Sequence, residues 1–289
     1  MAHQLHIAYS DLFSGAGIIA GGPFGCAEGS LATAMTRCMG KVDVSIPVAE
    51  LGAEVRNAAG DGRVAGTEAL ADDPVWLFHG TLDQVVAVEV SDALETLYKD
   101  FIPAGQIRYV NDVEIGHVFP TKGRGHACSA FQPPFVADCD FDAAGEILEH
   151  LYPDLAAPRP EFDEALTKVS LPGAIAAGLD ESAYLFIPTA CVNGEEACAA
   201  HLVLHGCAQS SVQVGTEFIE QSGYLPWAAA NNIVLAFPQV ATGPANPYAC
   251  WDWWGYTGAN YRWREGAQMQ VLSDWIRGLS VTGKRPGNS

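Results

Sequence analysis

Eight cysteines, spread from residue 26 to residue 250, restrict the possible fold before any other feature is considered. Their number is even and several lie close together along the chain, which is the pattern of a disulfide framework. A metal site would favour Cys-x-x-Cys pairs with histidines at fixed spacing, and the sequence has none. Pairing successive cysteines predicts four disulfides, Cys26–Cys38, Cys128–Cys139, Cys191–Cys198 and Cys207–Cys250.

A disulfide framework of this size indicates an exported protein, secreted or periplasmic, because disulfides persist in oxidising compartments. The residues after Met1 nevertheless lack the basic and apolar regions of a signal peptide. The simplest explanation for both observations is that the natural N-terminus lies upstream of Met1. No apolar run approaches the roughly 20 residues needed to span a bilayer.

The charge balance narrows the possible partners. The 289 residues include 34 acidic and 15 basic side chains, for a formal net charge of -19. Nucleic acids and anionic membranes both require a basic footprint, so neither is expected as a partner. With 49% hydrophobic and 17% charged residues, the chain can bury a sizeable core.

Predicted strands and helices alternate along the chain, which favours an α/β fold with a mostly parallel sheet and helices on both faces. The proline-rich stretch 152–161 is the best linker candidate, and it is expected to join residues 1–152 and 162–289 within a single domain. The strands predicted at 184–187 and 201–204 are expected to pair. The predicted strands are 15–20, 75–78, 107–110, 184–187, 201–204 and 233–237, and the predicted helices are 1–13, 30–38, 48–57, 90–98, 142–151, 217–231 and 266–279.

The glycine run at 15–20 superficially matches a dinucleotide-binding fingerprint. That fingerprint requires a strand before it and a helix opening inside it. Here a predicted helix precedes the run and the run itself is a predicted strand, so close packing explains the glycines. We expect no cofactor and no metal.

An aspartate and a histidine follow two successive predicted strands. The strand 75–78 leads into a loop with Asp83, and the strand 107–110 leads towards Gly116 and His117. Functional groups in α/β sheets lie at the carboxyl ends of strands. The chain order acid then histidine is that of the acid–base half of a hydrolase triad. Taken alone, Asp83 would be interpreted as a turn residue, and His126 is a second, weaker candidate for the base.

A third strand end carries His205, Gly206 and Cys207. In α/β-hydrolases, a loop after a strand donates a backbone N–H to the oxyanion, and this loop usually precedes the nucleophile in the sequence. Here the loop follows the candidate acid and base. This order indicates a circular permutation, with the first strands of the sheet placed at the C-terminal end.

Residues 1–289 contain no serine in the sequence context of a hydrolase nucleophile. A nucleophile elbow has the form G-x-S-x-G, and no such pentapeptide occurs. Ser14 has bulky neighbours and lies between a predicted helix and a predicted strand, whereas an elbow joins a strand to a helix. Ser280 lies after the last predicted helix.

Together these segments resemble the polyhydroxyalkanoate (poly-3-hydroxybutyrate) depolymerase family. Residues 1–27 resemble the segment that follows the elbow serine, FHGTLDQVV the acid loop, EIGHVFPT the histidine loop and LVLHGCAQS the oxyanion loop. CWDWWGY resembles an aromatic stretch near the polymer-binding cleft. The order of the segments matches the circularly permuted, single-domain fungal type.

The resemblance implies a circularly permuted α/β-hydrolase and a serine esterase that hydrolyses a polyester through an acyl-enzyme, without metal or cofactor. Asp83 would be the triad acid, His117 the base, and the N–H of Cys207 one oxyanion donor. The serine would lie a few residues before Met1, so residues 1–289 are expected to be inactive. The alternatives are an esterase for small esters such as feruloyl or acetyl esters, and a non-catalytic polyester-binding protein. A monomer is expected.

Six aromatic residues fall within the 13 positions 251–263, more than one loop needs for packing. They could belong to the core, but aromatic side chains combine large apolar area with a polar group, which suits a hydrophobic polyester. The expected substrate-binding residues are Trp253, Trp254, Tyr256 and Trp263.

Overall fold

A computed structural model describes residues 1–40, 44–192 and 197–279. The chain divides into two compact units. Unit 1 contains residues 1–118 and 252–270, and unit 2 contains residues 119–251 and 271–289 as far as these are described. The proline-rich stretch 152–161 lies inside unit 2.

Unit 1 is built on a parallel sheet in the order β1-β2-β3. The strands are β1 (Ala16–Ile19), β2 (Val75–Phe78) and β3 (Ile107–Val110). All four residues of the central strand β2 are buried, which fits its uninterrupted apolar sequence. The helices of unit 1 are α1 (Ala2–Ala8), α2 (Leu31–Arg37), α3 (Val48–Gly60) and α4 (Val88–Lys99), with short 3-10 turns at Thr67–Leu70 and Ala104–Gln106.

Helix α4 illustrates why these segments are helical. Val90, Ala93, Leu94 and Leu97 recur at helical spacing, and all four are buried. Glu89 in the first turn and Lys99 in the last turn complement the helix dipole. The helix thus connects β2 to the segment before β3 while burying one apolar face.

Unit 2 contains a mixed sheet in the order β7-β8-β10-β9 and a small parallel sheet in the order β4-β6-β5. Helix α10 (Ala267–Gly278) begins in unit 1 and ends in unit 2. The strands are β4 (Phe119–Thr121), β5 (His126–Ala127), β6 (Val136–Asp138), β7 (Leu166–Ser170), β8 (Ser182–Phe186), β9 (Ala199–Leu202) and β10 (Ile233–Phe237). The other helices are α5 (Ala143–Leu151), α6 (Thr189–Val192), α7 (Ser211–Val214), α8 (Glu217–Gln221) and α9 (Tyr224–Asn231), with a 3-10 turn at Ile175–Ala177.

The predicted α/β class is confirmed, since five of the seven pairs between these strands are parallel. The predicted pairing of 184–187 with 201–204 is wrong. Strands β8 and β9 both pair with β10, one antiparallel and one parallel. Strand β10 is buried at every residue, and this apolar strand therefore takes the position between them.

All eight cysteines form disulfides between successive partners. The Cα–Cα distances are 6.1 Å for Cys26–Cys38, 4.8 Å for Cys128–Cys139, 6.0 Å for Cys191–Cys198 and 4.3 Å for Cys207–Cys250. The first lies in unit 1 and the other three in unit 2. Such a framework is typical of an exported protein. Within the described ranges, no helix combines the length and apolarity needed to cross a membrane.

Candidate active site

The loops that follow β2 and β3 remain paired beyond the ends of the strands. The N–H of His79 donates to the carbonyl of Val110 at 2.9 Å, and the N–H of Thr81 donates to Val113 at 2.8 Å. The N–H of Leu82 donates to the carbonyl of Ile115 at 3.1 Å. These backbone bonds hold the two loops side by side at the carboxyl edge of the unit 1 sheet.

This close approach depends on Gly80. A Cβ atom placed there would lie 2.0 Å from the carbonyl oxygen of Ile115, far inside van der Waals contact. Backbone cannot yield as a flexible side chain can, so only glycine fits at this position. The glycine after His79 is therefore explained by the approach of the neighbouring loop.

The two loops bring Asp83 and His117 together. His117 Nδ1 lies 2.8 Å from Asp83 Oδ2. The other carboxylate oxygen, Oδ1, accepts the N–H groups of Val85 at 2.8 Å and Val86 at 2.9 Å. The Asp83 side chain is 1% exposed and that of His117 is 35% exposed. The carboxylate is thus fixed on both sides, and it orients an imidazole that is accessible from outside.

The electrostatic surroundings keep Asp83 ionised. Burial alone would raise the pKa of its carboxyl group. The hydrogen bond and the electrostatic attraction of His117, together with the N–H groups of Val86 and Val85, outweigh burial and lower this pKa below its ordinary value. A carboxylate in this state fixes Nδ1 as the protonated nitrogen, so Nε2 is the atom that would take a proton from a nucleophile.

His79 lies behind this pair. Its Nδ1 is 3.0 Å from Ser91 Oγ, and the Ser91 hydroxyl donates to the carbonyl of Gly21 at 3.2 Å. Because the serine hydrogen is used on Gly21, His79 Nδ1 acts as the donor. Burial lowers the pKa of His79, against the opposing effect of the nearby Asp83 carboxylate. His79 is therefore a neutral group that ties the end of β2 to α4 and to the segment after β1.

The weaker candidate for the base has a different environment. His126 lies on β5 in unit 2, where its Nε2 is 3.0 Å from the carbonyl oxygen of Pro133. Asp83 and His117 both belong to unit 1. The structure brings an acid to His117, and it gives His126 a carbonyl instead.

The candidate oxyanion loop follows β9 in unit 2. Gln209 Oε1 accepts the N–H of Gly206 at 2.6 Å, and the N–H of Ala208 donates to Tyr248 at 2.6 Å. The N–H of Cys207, between these two residues, makes no hydrogen bond within the described part of the chain, and Cys207 is exposed. The N–H groups of Gly206 and Ala208 are thus used in internal hydrogen bonds, whereas the N–H of Cys207 between them is left for a ligand.

His205 holds the start of this loop. Its Nδ1 donates to the carbonyl of Gly206 at 2.7 Å, and its Nε2 accepts the N–H of Val240 at 3.2 Å. Trp251 Nε1 donates to the His205 carbonyl at 2.9 Å. Burial lowers the pKa of His205 to about 4. The imidazole is therefore neutral near pH 7, which the acceptor role of Nε2 requires.

The aromatic residues at 251–263 divide by exposure. Trp254 and Trp263 are buried, at 9% and 3% exposure, whereas Trp253 and Tyr256 are partly exposed. The ring of Trp263 lies 4.1 Å from the Arg63 guanidinium. Of the four expected substrate-binding residues, Trp253 and Tyr256 have surface that a ligand can reach, and Trp263 packs in the interior of unit 1.

Neither serine considered from the sequence joins this arrangement. Ser14 is exposed and precedes β1, at the amino end of the parallel sheet. Asp83 and His117 lie at the opposite, carboxyl end. Ser280 lies outside the described residues. In the described ranges, no group of three or more histidine, cysteine, aspartate or glutamate residues could hold a metal ion.

Gln209 was not anticipated from the sequence. Besides accepting from Gly206, it donates through Nε2 to the carbonyls of Pro134 at 2.8 Å and Phe135 at 3.2 Å. It thereby ties the candidate oxyanion loop to a segment 74 positions earlier. Gln209 lies within the segment LVLHGCAQS, but its bonds to residues 134–135 join positions too distant in sequence to be predicted.

Comparison with known proteins gives several similar chains. The sequence is 39% identical over 288 residues to a poly(3-hydroxybutyrate) depolymerase of Delftia acidovorans, covering 97% of this chain and 57% of that protein. It is 31% identical over 296 residues to a polyhydroxybutyrate depolymerase of Talaromyces funiculosus, covering 96% of this chain and 85% of that protein. The chain thus spans little more than half the length of the first relative. No family model matches the sequence.

Two solved structures are similar over 97% of this chain and 92% of theirs. One is a PHB depolymerase from Penicillium funiculosum, with a TM-score of 0.90 and 29% identity. The other is a PHB depolymerase with a serine replaced by alanine, complexed with an R3HB trimer, with a TM-score of 0.89 and 28% identity. The α/β-hydrolase type predicted from the sequence is confirmed by these neighbours.

Proposed function

This chain belongs to the polyhydroxybutyrate depolymerase family, and we propose that it is a carboxylic ester hydrolase acting on poly-3-hydroxybutyrate or a similar polyester. The observation that carries the proposal is the 2.8 Å contact between His117 Nδ1 and Asp83 Oδ2 at the carboxyl edge of a parallel sheet. The names of the relatives and the R3HB trimer bound by a similar structure support a polyester as substrate.

In the proposed mechanism, His117 Nε2 takes the proton of a serine hydroxyl as the serine oxygen attacks the ester carbonyl carbon. The N–H of Cys207 donates to the oxyanion of the tetrahedral intermediate. When the intermediate collapses, the ester C–O bond breaks and His117 gives its proton to the departing alcohol, leaving an acyl-enzyme. His117 then takes a proton from water as the water oxygen attacks the acyl carbon; the bond from this carbon to the serine oxygen breaks, His117 returns the proton to the serine, and the acid is released. Asp83 orients the imidazole and stabilises its cation throughout.

The nucleophile of this mechanism has to come from a G-x-S-x-G elbow, and residues 1–289 contain no such pentapeptide. We therefore expect residues 1–289 alone to turn over esters near background. A triad lacking one member keeps a residual rate of roughly 10³–10⁴ over water. Loss of the elbow also removes its N–H, and one oxyanion donor contributes about 10²–10³ in rate.

Substrate binding is assigned in the proposal to Trp253 and Tyr256, which are partly exposed and both pack against the buried Trp254, whereas Trp263 packs in the interior of unit 1. The proposal also includes a circularly permuted order, because the Cys207 loop follows the acid and the base along the chain. We further infer a monomeric protein with one catalytic-type domain, secreted or periplasmic. The four disulfides support the compartment.

The test joins a short strand and a G-x-S-x-G elbow in front of Met1 and measures clearing of poly-3-hydroxybutyrate granules by this elbow-bearing fusion. We expect clearing by the fusion, and a loss of about 10⁴-fold in D83N and H117A versions of it. H126A is the matched control, and it should clear granules like the parent fusion. A fusion in which H117A has no effect on turnover would contradict the assignment of the base.

The same fusion separates the alternatives. Hydrolysis of p-nitrophenyl butyrate or feruloyl esters without granule clearing would indicate an esterase for small esters. Granule binding with no turnover of any ester, despite a labelled elbow serine, would indicate a polyester-binding protein. A serine-directed phosphonate that labels a serine within residues 1–289 would place the nucleophile elsewhere.

A further inference from the structure

The loop 252–257 is organised around one carboxylate, that of Asp252. Its Oδ1 accepts the N–H groups of Gly255 at 2.6 Å and Tyr256 at 3.0 Å. Its Oδ2 accepts the N–H of Thr257 at 2.8 Å and the Thr257 hydroxyl at 2.6 Å. Three successive N–H groups around an anion form a backbone nest. Asp252 is 0% exposed, so the nest encloses a side chain of the same loop and no external ligand.

The path of this loop requires Gly255. Its φ is +93°, in the region that residues with a Cβ rarely adopt. A Cβ atom there would also lie 3.1 Å from the Cα of Gly29. Charge-assisted hydrogen bonds to Asp252 and the freedom of Gly255 together define one conformation of the loop.

Two buried glutamines fix the loop from outside. Gln268 on α10 accepts the N–H of Asp252 through Oε1 at 2.9 Å and donates through Nε2 to the Tyr256 hydroxyl at 2.8 Å. Gln4 on α1 donates to the carbonyl of Asp252 at 3.1 Å. The main chain at Asp252 is thus held on both sides, and the Tyr256 ring is held at its hydroxyl.

The consequence is a fixed arrangement of three rings. Trp254, which is buried, lies edge-on to Trp253 with centroids 5.2 Å apart, and its centroid is 5.0 Å from that of Tyr256. Trp253 and Tyr256 are the partly exposed members. Rings whose orientation is set before a ligand arrives lose less conformational entropy on binding.

We propose that Asp252 is a positioning residue for polyester binding, because it holds the loop that sets the orientation of Trp253 and Tyr256. The inference rests on the proposed function, in which these rings contact the polyester. Asp252 is buried and does not contact the polyester itself, but it sets the affinity of the protein for the polyester by holding the rings that do.

The test measures binding of an R3HB trimer to residues 1–289 by calorimetry, and adsorption to poly-3-hydroxybutyrate granules by sedimentation. D252N keeps the side-chain shape but turns an NH₂ group towards N–H donors. We expect its trimer Kd to be weaker by about tenfold or more. T257V removes one of the four hydrogen bonds and should weaken binding by about threefold, whereas T257S keeps the hydroxyl and should bind like the parent.

The matched control is D142N. Asp142 caps α5 in unit 2, where it accepts the N–H of Gly145 at 3.0 Å and Trp227 Nε1 at 2.9 Å. We expect D142N to lower the melting temperature about as much as D252N but to keep the trimer Kd within about twofold of the parent. Equal losses of affinity in D142N and D252N would mean that Asp252 acts on stability alone, and the inference would be wrong.

The binding measurements distinguish a failure of the role assigned to Asp252 from a failure of the proposed polyester function. If the parent binds neither trimer nor granules, both fail. If the parent binds and a folded D252N binds equally well, the proposed function stands and the role of Asp252 is overturned. If D252N does not fold, the pair T257V and T257S decides, since equal affinities in those two variants would overturn the inference.

Discussion

The two loops of unit 1 that carry proposed catalytic groups and the Cys207 loop of unit 2 are held by different kinds of contact. In unit 1 the loops with Asp83 and His117 are joined by backbone bonds, such as Thr81 N–H to the Val113 carbonyl at 2.8 Å. In unit 2 the loop with Cys207 has a backbone bond from Ala208 to Tyr248, but it is also held by the imidazole of His205, the carboxamide of Gln209 and a disulfide. Backbone pairing is indifferent to most substitutions and to pH. The side-chain arrangement depends on redox state and protonation.

The largest expected effect concerns the disulfide of the Cys207 loop. Cys207 and Cys250 are 43 positions apart, and closing a loop of that length contributes about 4 kcal/mol to stability. We expect the C207A/C250A double variant to lose about this much free energy of unfolding in a urea titration.

The shorter bridge Cys191–Cys198 provides the control, since its 7-residue separation predicts a loss of about 2 kcal/mol in C191A/C198A. If the two double variants lose the same amount, loop length does not explain the contribution of the longer bridge.

The next effect is the dependence of stability on pH that His205 gives to the unit 2 loop. The pKa of His205 is lowered to about 4 in the folded protein, from an ordinary value of 6.5. Between these two pH values the unfolded chain binds more protons, so the contribution is complete above pH 6.5 and is lost as the pH falls towards 4. The expected loss is about 1.4 kcal/mol per pH unit, or roughly 3 kcal/mol in total.

The measurement compares urea titrations of the parent and H205Q from pH 7 to pH 4. The other buried histidines act equally in both proteins, so the difference isolates His205. The same slope in both proteins would remove His205 as an acid-sensitive contact of the loop.

A smaller effect, on activity, tests the backbone pairing in unit 1. G80A places a methyl group against the Ile115 carbonyl and should force the acid and base loops apart. A displacement of about 1 Å at reacting groups costs roughly 10²-fold in rate, so granule clearing by the elbow-bearing fusion should fall about 100-fold.

Gly105 supplies the control because a Cβ there meets nothing within 4 Å. G105A should therefore clear granules like the parent fusion. Full activity of G80A would mean that the pairing of the loops does not align Asp83 with His117.

The smallest effect concerns Ala208, the residue after Cys207, which has a φ of +61°. A residue with a Cβ is strained in this region, and glycine is not. We expect A208G to raise the free energy of unfolding by about 0.5–1 kcal/mol, measured by urea titration. A decrease would show that the freedom glycine adds to the unfolded chain outweighs the relief of strain.

The contrast between the unit 1 loops, which follow adjacent parallel strands, and the Cys207 loop of unit 2 also explains which features could be predicted from the sequence. The strands 75–78 and 107–110 were predicted with the bounds of β2 and β3, because each is a short apolar run with a turn signal at its end. Asp83 and His117 could be singled out since parallel strands place their following loops at one edge. The contacts of Gln209 with residues 134–135 and of His205 with Val240 could not be predicted, because no predicted strand order brings these distant segments together.

Errors at other elements have similar causes. The helix predicted at 1–13 ends at Ala8, since Leu12 and Phe13 continue at helical spacing but their N–H groups both bond to the Tyr9 carbonyl in a turn. Exposure of the aromatic rings also could not be predicted. Trp253 and Trp263 belong to the same aromatic stretch, and tertiary packing, including the Arg63 guanidinium over the Trp263 ring, buries Trp263.

The pairing of the two unit 1 loops has a consequence for how this protein can be altered. The hydrogen bonds described above between the Asp83 loop and the His117 loop lie within the 43 consecutive residues 75–117. Opening the chain outside residues 75–117 cuts none of these hydrogen-bonded segments. We therefore expect a chain with relocated ends to keep Asp83 beside His117.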